Sequence, residues 1–377
     1  MKDVKNSKVI IVGAGVSGSY LGYLLASNDI NVIIIEKSKD VKKDSGIVSN
    51  RIFNFIKIDD SLIKQKIKRM KIYFGDNAFN ITSKKPFAII LNRKNFGRYL
   101  RKKAIDSGAK IIFDEIVGLR IRNKEIEAIG IKNRYRGKLI VGADGANSII
   151  RKCLGISSPK LYLGFLCNYI EKNKNRNENI FVFHNKRYSK RFFAWKIEAN
   201  KELGMITELV DCKKSIDNFI SDIKKENEII VKERHYHLIP FGTTKSYGSK
   251  SILLGDACGQ VKPLTGGGIV YSLICAKGAM KVIKEFLEKN DEKIIKSYED
   301  MWKREIGHEI WFQEKLRDFY ERLAQRDIEK ITRKIKELHF NEFDYDISID
   351  IAKKIFLQTP KKDLIELAPL FFKYFLC

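Results

Sequence analysis

The sequence predicts an α/β protein: a parallel sheet built from βαβ units, then a mostly antiparallel β region, then a helical C-terminal region. Three observations carry this. The apolar run Val9–Val12 leads straight into Gly13-Ala14-Gly15-Val16-Ser17-Gly18. A second apolar run, residues 31–36, follows within the roughly thirty residues of a βαβ unit. Beyond it the texture changes twice, to short β-rich runs over about 161–237 and to helix-like sequence from Gly268 nearly to the end.

Val9–Val12 has no polar position, as a strand buried on both faces requires. Residues 19–27 read as a helix with Leu21, Leu24 and Leu25 on one face. Residues 93–107 read as a second helix, and 109–113 and 139–143 as further strands. Residues 125–131 read as a small antiparallel excursion. Over 161–237, runs such as Ile180-Phe181-Val182-Phe183 and residues 191–197 suggest a separate sheet that roofs a cleft. Residues 251–254 return to the buried-strand texture. The expected organisation is a discontinuous first domain, 1–158 with 245–300, a β-sheet substrate domain at 159–244 and a helical region at 301–377. The apolar tail 367–376 is expected to dock on the core.

The chain has 377 residues, 44% of them hydrophobic, enough for a sizeable core. Lys and Arg exceed Asp and Glu by 72 to 46, a net charge of +26. The lysines are evenly spread and no basic block forms an arm, so no nucleic-acid partner is expected. Peripheral contact with an anionic membrane stays open. Six cysteines, at 153, 167, 212, 258, 275 and 377, form no C-x-x-C pair, which argues for free thiols and no metal. There is no signal-peptide pattern and no apolar run of the ~20 residues that span a bilayer. A cytoplasmic location is expected.

Four blocks carry chemistry. In the first, Gly13 permits a tight turn, Gly15 admits a pyrophosphate and Gly18 lets helix pack on strand, with free N–H groups and a helix dipole facing the phosphates. Glu36 ends the second strand, where a carboxylate binds a ribose 2′-hydroxyl and repels a 2′-phosphate. That fits FAD or NAD and not NADP. In the second, Leu253-Leu254-Gly255-Asp256-Ala257, an aspartate at a strand's C-terminal end faces the cleft and can hold a sugar or ribityl hydroxyl. In the third, Pro263-Leu264-Thr265-Gly266-Gly267-Gly268-Ile269, successive N–H groups form a nest suited to an electron-rich ring edge. The fourth, Val141 through Ser148 with Arg151, reads as tight packing beside the cofactor around Asp144. His235 and His237, on alternate strand positions, read as solvent-facing.

These blocks in this order resemble the FAD-dependent glutathione-reductase fold, in its aromatic-hydroxylase-like branch. Within it, Gly255-Asp256-Ala257-Cys258-Gly259-Gln260-Val261-Lys262-Pro263-Leu264-Thr265-Gly266-Gly267-Gly268-Ile269 resembles the geranylgeranyl reductase family, digeranylgeranylglycerophospholipid reductases included. Ser45-Gly46-Ile47-Val48-Ser49 resembles the same family's loop near the flavin. The resemblance runs from about residue 8 to about 300. It implies a Rossmann-like FAD-binding domain and, by motif position, FAD contacts at Ser17, Glu36, Gly46, Ile47, Arg93, Val117, Asp256, Gly268 and Ile269, with Gly13, Gly15, Gly18 and Gly267 from the glycine blocks.

The implied activity is reduction of isoprenoid C=C bonds by reduced FAD, as in the biosynthesis of archaeal ether membrane lipids. The implied partners are a polyprenyl lipid and an external electron donor, ferredoxin or NAD(P)H, since no second dinucleotide loop is evident. Two departures stand out. Asp44 and Ser45 lie where many members carry a cysteine, and Phe193-Ala194-Trp195-Lys196-Ile197 keeps the family's aromatics without its Phe-Pro. Trp195 and Phe193 are the candidates for stabilising positive charge on a protonated alkene; no proton donor is evident. The alternative in the same fold is an FAD-dependent monooxygenase acting on a small aromatic or lipid.

Overall fold

A computed structural model describes residues 3–41, 45–122, 125–171, 179–226, 228–334 and 337–375, with the backbone alone at 337, 371, 372, 374 and 375. Asp44 and the end of the apolar tail lie outside these residues.

The core is a six-stranded sheet in the order Tyr247–Gly248, Ser251–Leu253, Leu139–Gly142, Val9–Val12, Val32–Glu36, Lys110–Phe113. All its pairings are parallel except the first. Val9, Ile10 and Ile11 are fully buried, as a strand covered on both faces must be. One face packs on the helices Val16–Ala26, Arg93–Asp106 and Ile269–Lys289. The other carries a four-stranded sheet, Val4–Asn6, Arg134–Gly137, Ile126–Gly130 and Ile116–Ile121, the excursion foreseen around 125–131.

The first helix begins at Val16, three residues before the expected start, with Gly15 as N-cap. Gly18 therefore lies inside its first turn. A Cβ on Gly18 would sit 1.9 Å from the Gly13 carbonyl oxygen, so the helix end folds directly onto the loop.

An eight-stranded sheet stands over the cleft: Ile229–Phe241, Lys160–Glu171, Glu202–Thr207, Ala194–Ile197, Ile180–His184, Arg69–Phe74, Asn77–Ser83 and Glu337–Phe340. Five of its strands come from the β-rich stretch. Arg69–Phe74 and Asn77–Ser83 come from earlier in the chain, and Glu337–Phe340 from the otherwise helical C-terminal region. The two joints, Phe181↔Lys71 and Leu338↔Ile81, are parallel. Alternation within 69–83 is weak, which is why the sequence hid these strands: residues 72–74 are half-buried on both faces.

The C-terminal helices are Lys293–Trp302, His308–Arg322, Gln325–Lys334, Ser348–Gln358 and Lys361–Phe375. The last contacts His308–Arg322 and Gln325–Lys334, and the buried Leu367 anchors it. No helix among the described residues is long and apolar enough to cross a membrane. The five described cysteines are free, with Cys167, Cys258 and Cys275 buried.

Candidate active site

A cavity of about 1270 Å³ runs between the parallel sheet and the eight-stranded sheet. That exceeds the roughly 300–1,000 Å³ of an ordinary small-molecule pocket. The space has two limbs of different make-up.

The first limb is built by backbone. Gly13 has φ +104°, and a Cβ there would meet the Ala143 carbonyl oxygen at 2.2 Å. Only glycine satisfies both demands. Around Gly15 the opposite holds: nothing lies within 4 Å of an added Cβ, so the loop faces open cavity in front of the helix N-terminus. The Glu36 carboxylate accepts from the Ala14 N–H at 2.7 Å and the Ser38 N–H at 3.0 Å. A carboxylate has about four acceptor positions, so capacity remains for sugar hydroxyls.

Arg101, which the sequence reading passed over, stands beside Glu36. Its guanidinium lies 3.7 Å from Glu36 Oε2, and it donates to the carbonyls of Ala14 at 3.1 Å and Lys39 at 2.8 Å. A signal for it existed: Arg93, Gly97 and Arg101, at i, i+4 and i+8 of one helix face, all line the cavity.

The other blocks converge on the same limb. Ser17, Gly46, Ile47, Arg93 and Val117 line it. Gly46 rests on the Arg93 side chain, since an added Cβ would lie 2.6 Å from its Cγ. Val117 sits on the rim, half exposed. Asp256 and the glycine nest meet: a Cβ on Gly268 would lie 3.3 Å from Asp256 Oδ1. Gly268 is the N-cap of the helix Ile269–Lys289, so the helix's free N–H groups open into the cavity beside Gly267 and Ile269.

The Asp144 block packs as foreseen. Asp144 accepts from Ser148 Oγ at 2.5 Å and the Ile149 N–H at 2.7 Å, and burial holds its carboxyl above the usual range. Arg151 is 1% exposed and donates to the Ala257 and Ala146 carbonyls, tying this block to the Gly-Asp turn.

The second limb is built by side chains of the eight-stranded sheet: Ile72, Ile81, Val182, Phe193, Trp195 and Ile239 among them. Trp195 lies flat over Gly204, where a Cβ would strike its ring at 2.2 Å, and its indole N–H donates to Glu202 at 3.1 Å. Phe193 stands 5.9 Å from it, centroid to centroid. His184 stacks on Phe74 at 4.4 Å, and burial, with Arg317 nearby, pushes its imidazole down to about 3. His237 is half-buried and lines this limb, so it does not simply face solvent; its strand runs along the cavity edge.

Between the limbs sits a buried ion pair absent from the sequence reading. Lys262 Nζ lies 2.6 Å from Asp346, which also accepts from Ser49. Burial works to remove the Lys262 proton, and Asp346, with Tyr345 and Asp344 beside it, more than offsets that, so the amine stays above the ordinary lysine value. Lys262 belongs to the run that leads into the glycine nest; Asp346 lies about eighty residues away, and only the fold pairs them.

Comparisons with known proteins agree with this geometry. Residues 6–163 match the model of the FAD binding domain family. Its cofactor, FAD, suits a cleft with an open glycine loop and an acidic strand end. The chain is 26% identical to an uncharacterized protein of Methanocaldococcus jannaschii over 87% of this chain and 88% of that one. It is 24% identical to digeranylgeranylglycerophospholipid reductase 1 of Methanococcoides burtonii, covering 96% and 95%. Among solved structures, a geranylgeranyl bacteriochlorophyll reductase-like protein of Thermoplasma acidophilum superposes with a TM-score of 0.85 at 19% identity, covering 97% of this chain and all of that one.

Proposed function

We propose that this chain is an FAD-dependent oxidoreductase that saturates C=C double bonds of geranylgeranyl chains, in the biosynthesis of archaeal-type ether membrane lipids. The observation that carries the reading is the joining of the limbs: one cavity is lined by both the glycine nest and the apolar side chains of the eight-stranded sheet, and a Cβ on Gly266 would meet Ile206 at 2.6 Å and Ile239 at 3.4 Å. The curated relatives named as digeranylgeranylglycerophospholipid reductases support the lipid.

The loop at Gly13, Gly15 and Gly18, with Ser17, holds the pyrophosphate of FAD. Glu36, braced by Arg101, takes the adenosine ribose, and Arg93 with Gly46 and Ile47 covers the approach. Val117 contributes its backbone and Asp256 a carboxylate for a ribityl hydroxyl. The backbone at Gly267, Gly268 and Ile269 would hold an electron-rich edge of the flavin. When bound, reduced FAD would supply the hydride for one alkene carbon, and the other carbon would take up a proton, so that each double bond gains two hydrogens. The chain's own part is positional: the apolar limb excludes water and holds the alkene, and Trp195 and Phe193 present ring faces to positive charge on the substrate. Electrons arrive from an external donor, ferredoxin or NAD(P)H.

The test is anaerobic incubation of the dithionite-reduced protein with a geranylgeranylated glycerophospholipid, followed by mass spectrometry. Two hydrogens gained per double bond are expected. An unchanged lipid, or an oxygen-dependent hydroxylated product with NADPH, overturns the reading.

A further inference from the structure

The helix Ser348–Gln358 begins at the cavity and ends at the surface. Near its start, Tyr345, Asp346 and Ile351 line the cavity. At its other end Phe356 and Leu357 are 62% and 80% exposed, and Ile365, in the next helix, is 75% exposed. Two adjacent large apolar side chains at the end of one helix and a third early in the next are left in water, the make-up of an interaction surface. Exposed lysines stand beside them: Lys361 and Lys362, and on the preceding helix Lys353, whose Nζ lies 4.0 Å from Asp350. Lys361 and Lys362 make no ion pair among the described residues, whereas the acidic side chains nearby are engaged: Asp363 and Glu366 pair with Lys334.

We propose that this turnaround is the docking surface of the protein on an anionic lipid bilayer, with Phe356, Leu357 and Ile365 inserted at the headgroup boundary and the lysines on the lipid phosphates. Apolar tips within a basic frame are the composition that binds anionic interfaces. Charge selects a bilayer over a second copy of this chain, because two faces of the same +26 molecule repel. The inference rests on the lipid reading above and deepens it. A polyprenyl chain leaves the bilayer alongside the helix whose first residues wall the cavity, so the substrate need never cross water.

The experiment is sedimentation of the full chain with vesicles of pure phosphatidylglycerol or pure phosphatidylcholine, neither containing polyprenyl lipid and without reductant. Binding to phosphatidylglycerol is expected to fall steeply with salt and to exceed binding to phosphatidylcholine at least tenfold. The double variant Phe356→Ser, Leu357→Ser should weaken it at least tenfold while keeping flavin content and the rate on detergent-dispersed lipid. Lys361→Glu with Lys362→Glu should abolish the preference for the anionic vesicle. Unchanged vesicle binding in both variants, or a shift from dimer to monomer in the first, overturns the proposal. Vesicle binding without any lipid reduction leaves the surface standing and removes the substrate reading. Reduction of dispersed lipid without vesicle binding does the reverse.

Discussion

The two limbs of the cavity are made differently. The glycine limb is a backbone construction: turns, helix ends and N–H groups, with side chains as braces. The apolar limb is a mosaic of side chains from strands far apart in the chain. A backbone site tolerates almost no change where it is tight, because a Cβ has nowhere to go. A side-chain site tolerates repacking and changes what it accepts. Disrupting the first should therefore cost cofactor and fold, and disrupting the second should cost substrate alone.

The sharpest break is Gly13→Ala. It forces a side chain into the left-handed region and against the Ala143 carbonyl, so purified protein should contain almost no flavin by absorbance and unfold at lower temperature. Lys262→Met comes next. It strands the buried Asp346 without its partner, a loss of about 3–5 kcal/mol readable in denaturant unfolding; Lys262→Met with Asp346→Leu should recover part of it. Glu36→Gln removes the charge that braces the loop and that, on the proposed reading, takes the ribose. FAD affinity should fall about tenfold or more by fluorescence titration, with the fold retained.

Trp195→Leu tests the other limb. It should leave flavin content as it is and lower turnover on the polyprenyl lipid several-fold; loss of flavin would erase the distinction between the limbs. His184 tests the same limb through pH. Its folded-state pKa, about 3, lies below the ordinary 6.5. The folded protein thus binds fewer protons than the unfolded chain between those values, and stability falls as pH drops through that window. His184→Phe keeps the stack on Phe74 and removes the titration. Its melting temperature should fall less than that of the parent between pH 6.5 and 4.

The same division governs what the sequence disclosed. The parallel sheet, the glycine loop, Glu36, Asp256 and the nest are local: each is a few adjacent residues whose spacing carries the geometry. Helix Val16–Ala26 starts three residues before the expected position because glycines inside a first turn look like loop. The apolar limb was legible at Phe193 and Trp195 and nowhere else in detail. Ile72 and Ile81 reach it through strand pairings, and Asp346 reaches Lys262 beside it, with no signature in the adjoining sequence. Arg101 lay between, on a readable helix face but without a motif of its own.

The edge of the eight-stranded sheet has a consequence for how the molecule is made. Glu337–Phe340 pairs with Asn77–Ser83 in parallel register, and the buried amine of Lys262 needs Asp346. During synthesis from the N-terminus the glycine loop emerges early and its sheet waits for residues 251–253. The wall of the cavity waits longer still, for residues beyond 337. Non-local pairings of this span fold slowly and leave sheet edges bare meanwhile. Flavin capture by the nascent chain, followed with truncations tethered to the ribosome, would show which of these two clocks sets the moment of assembly.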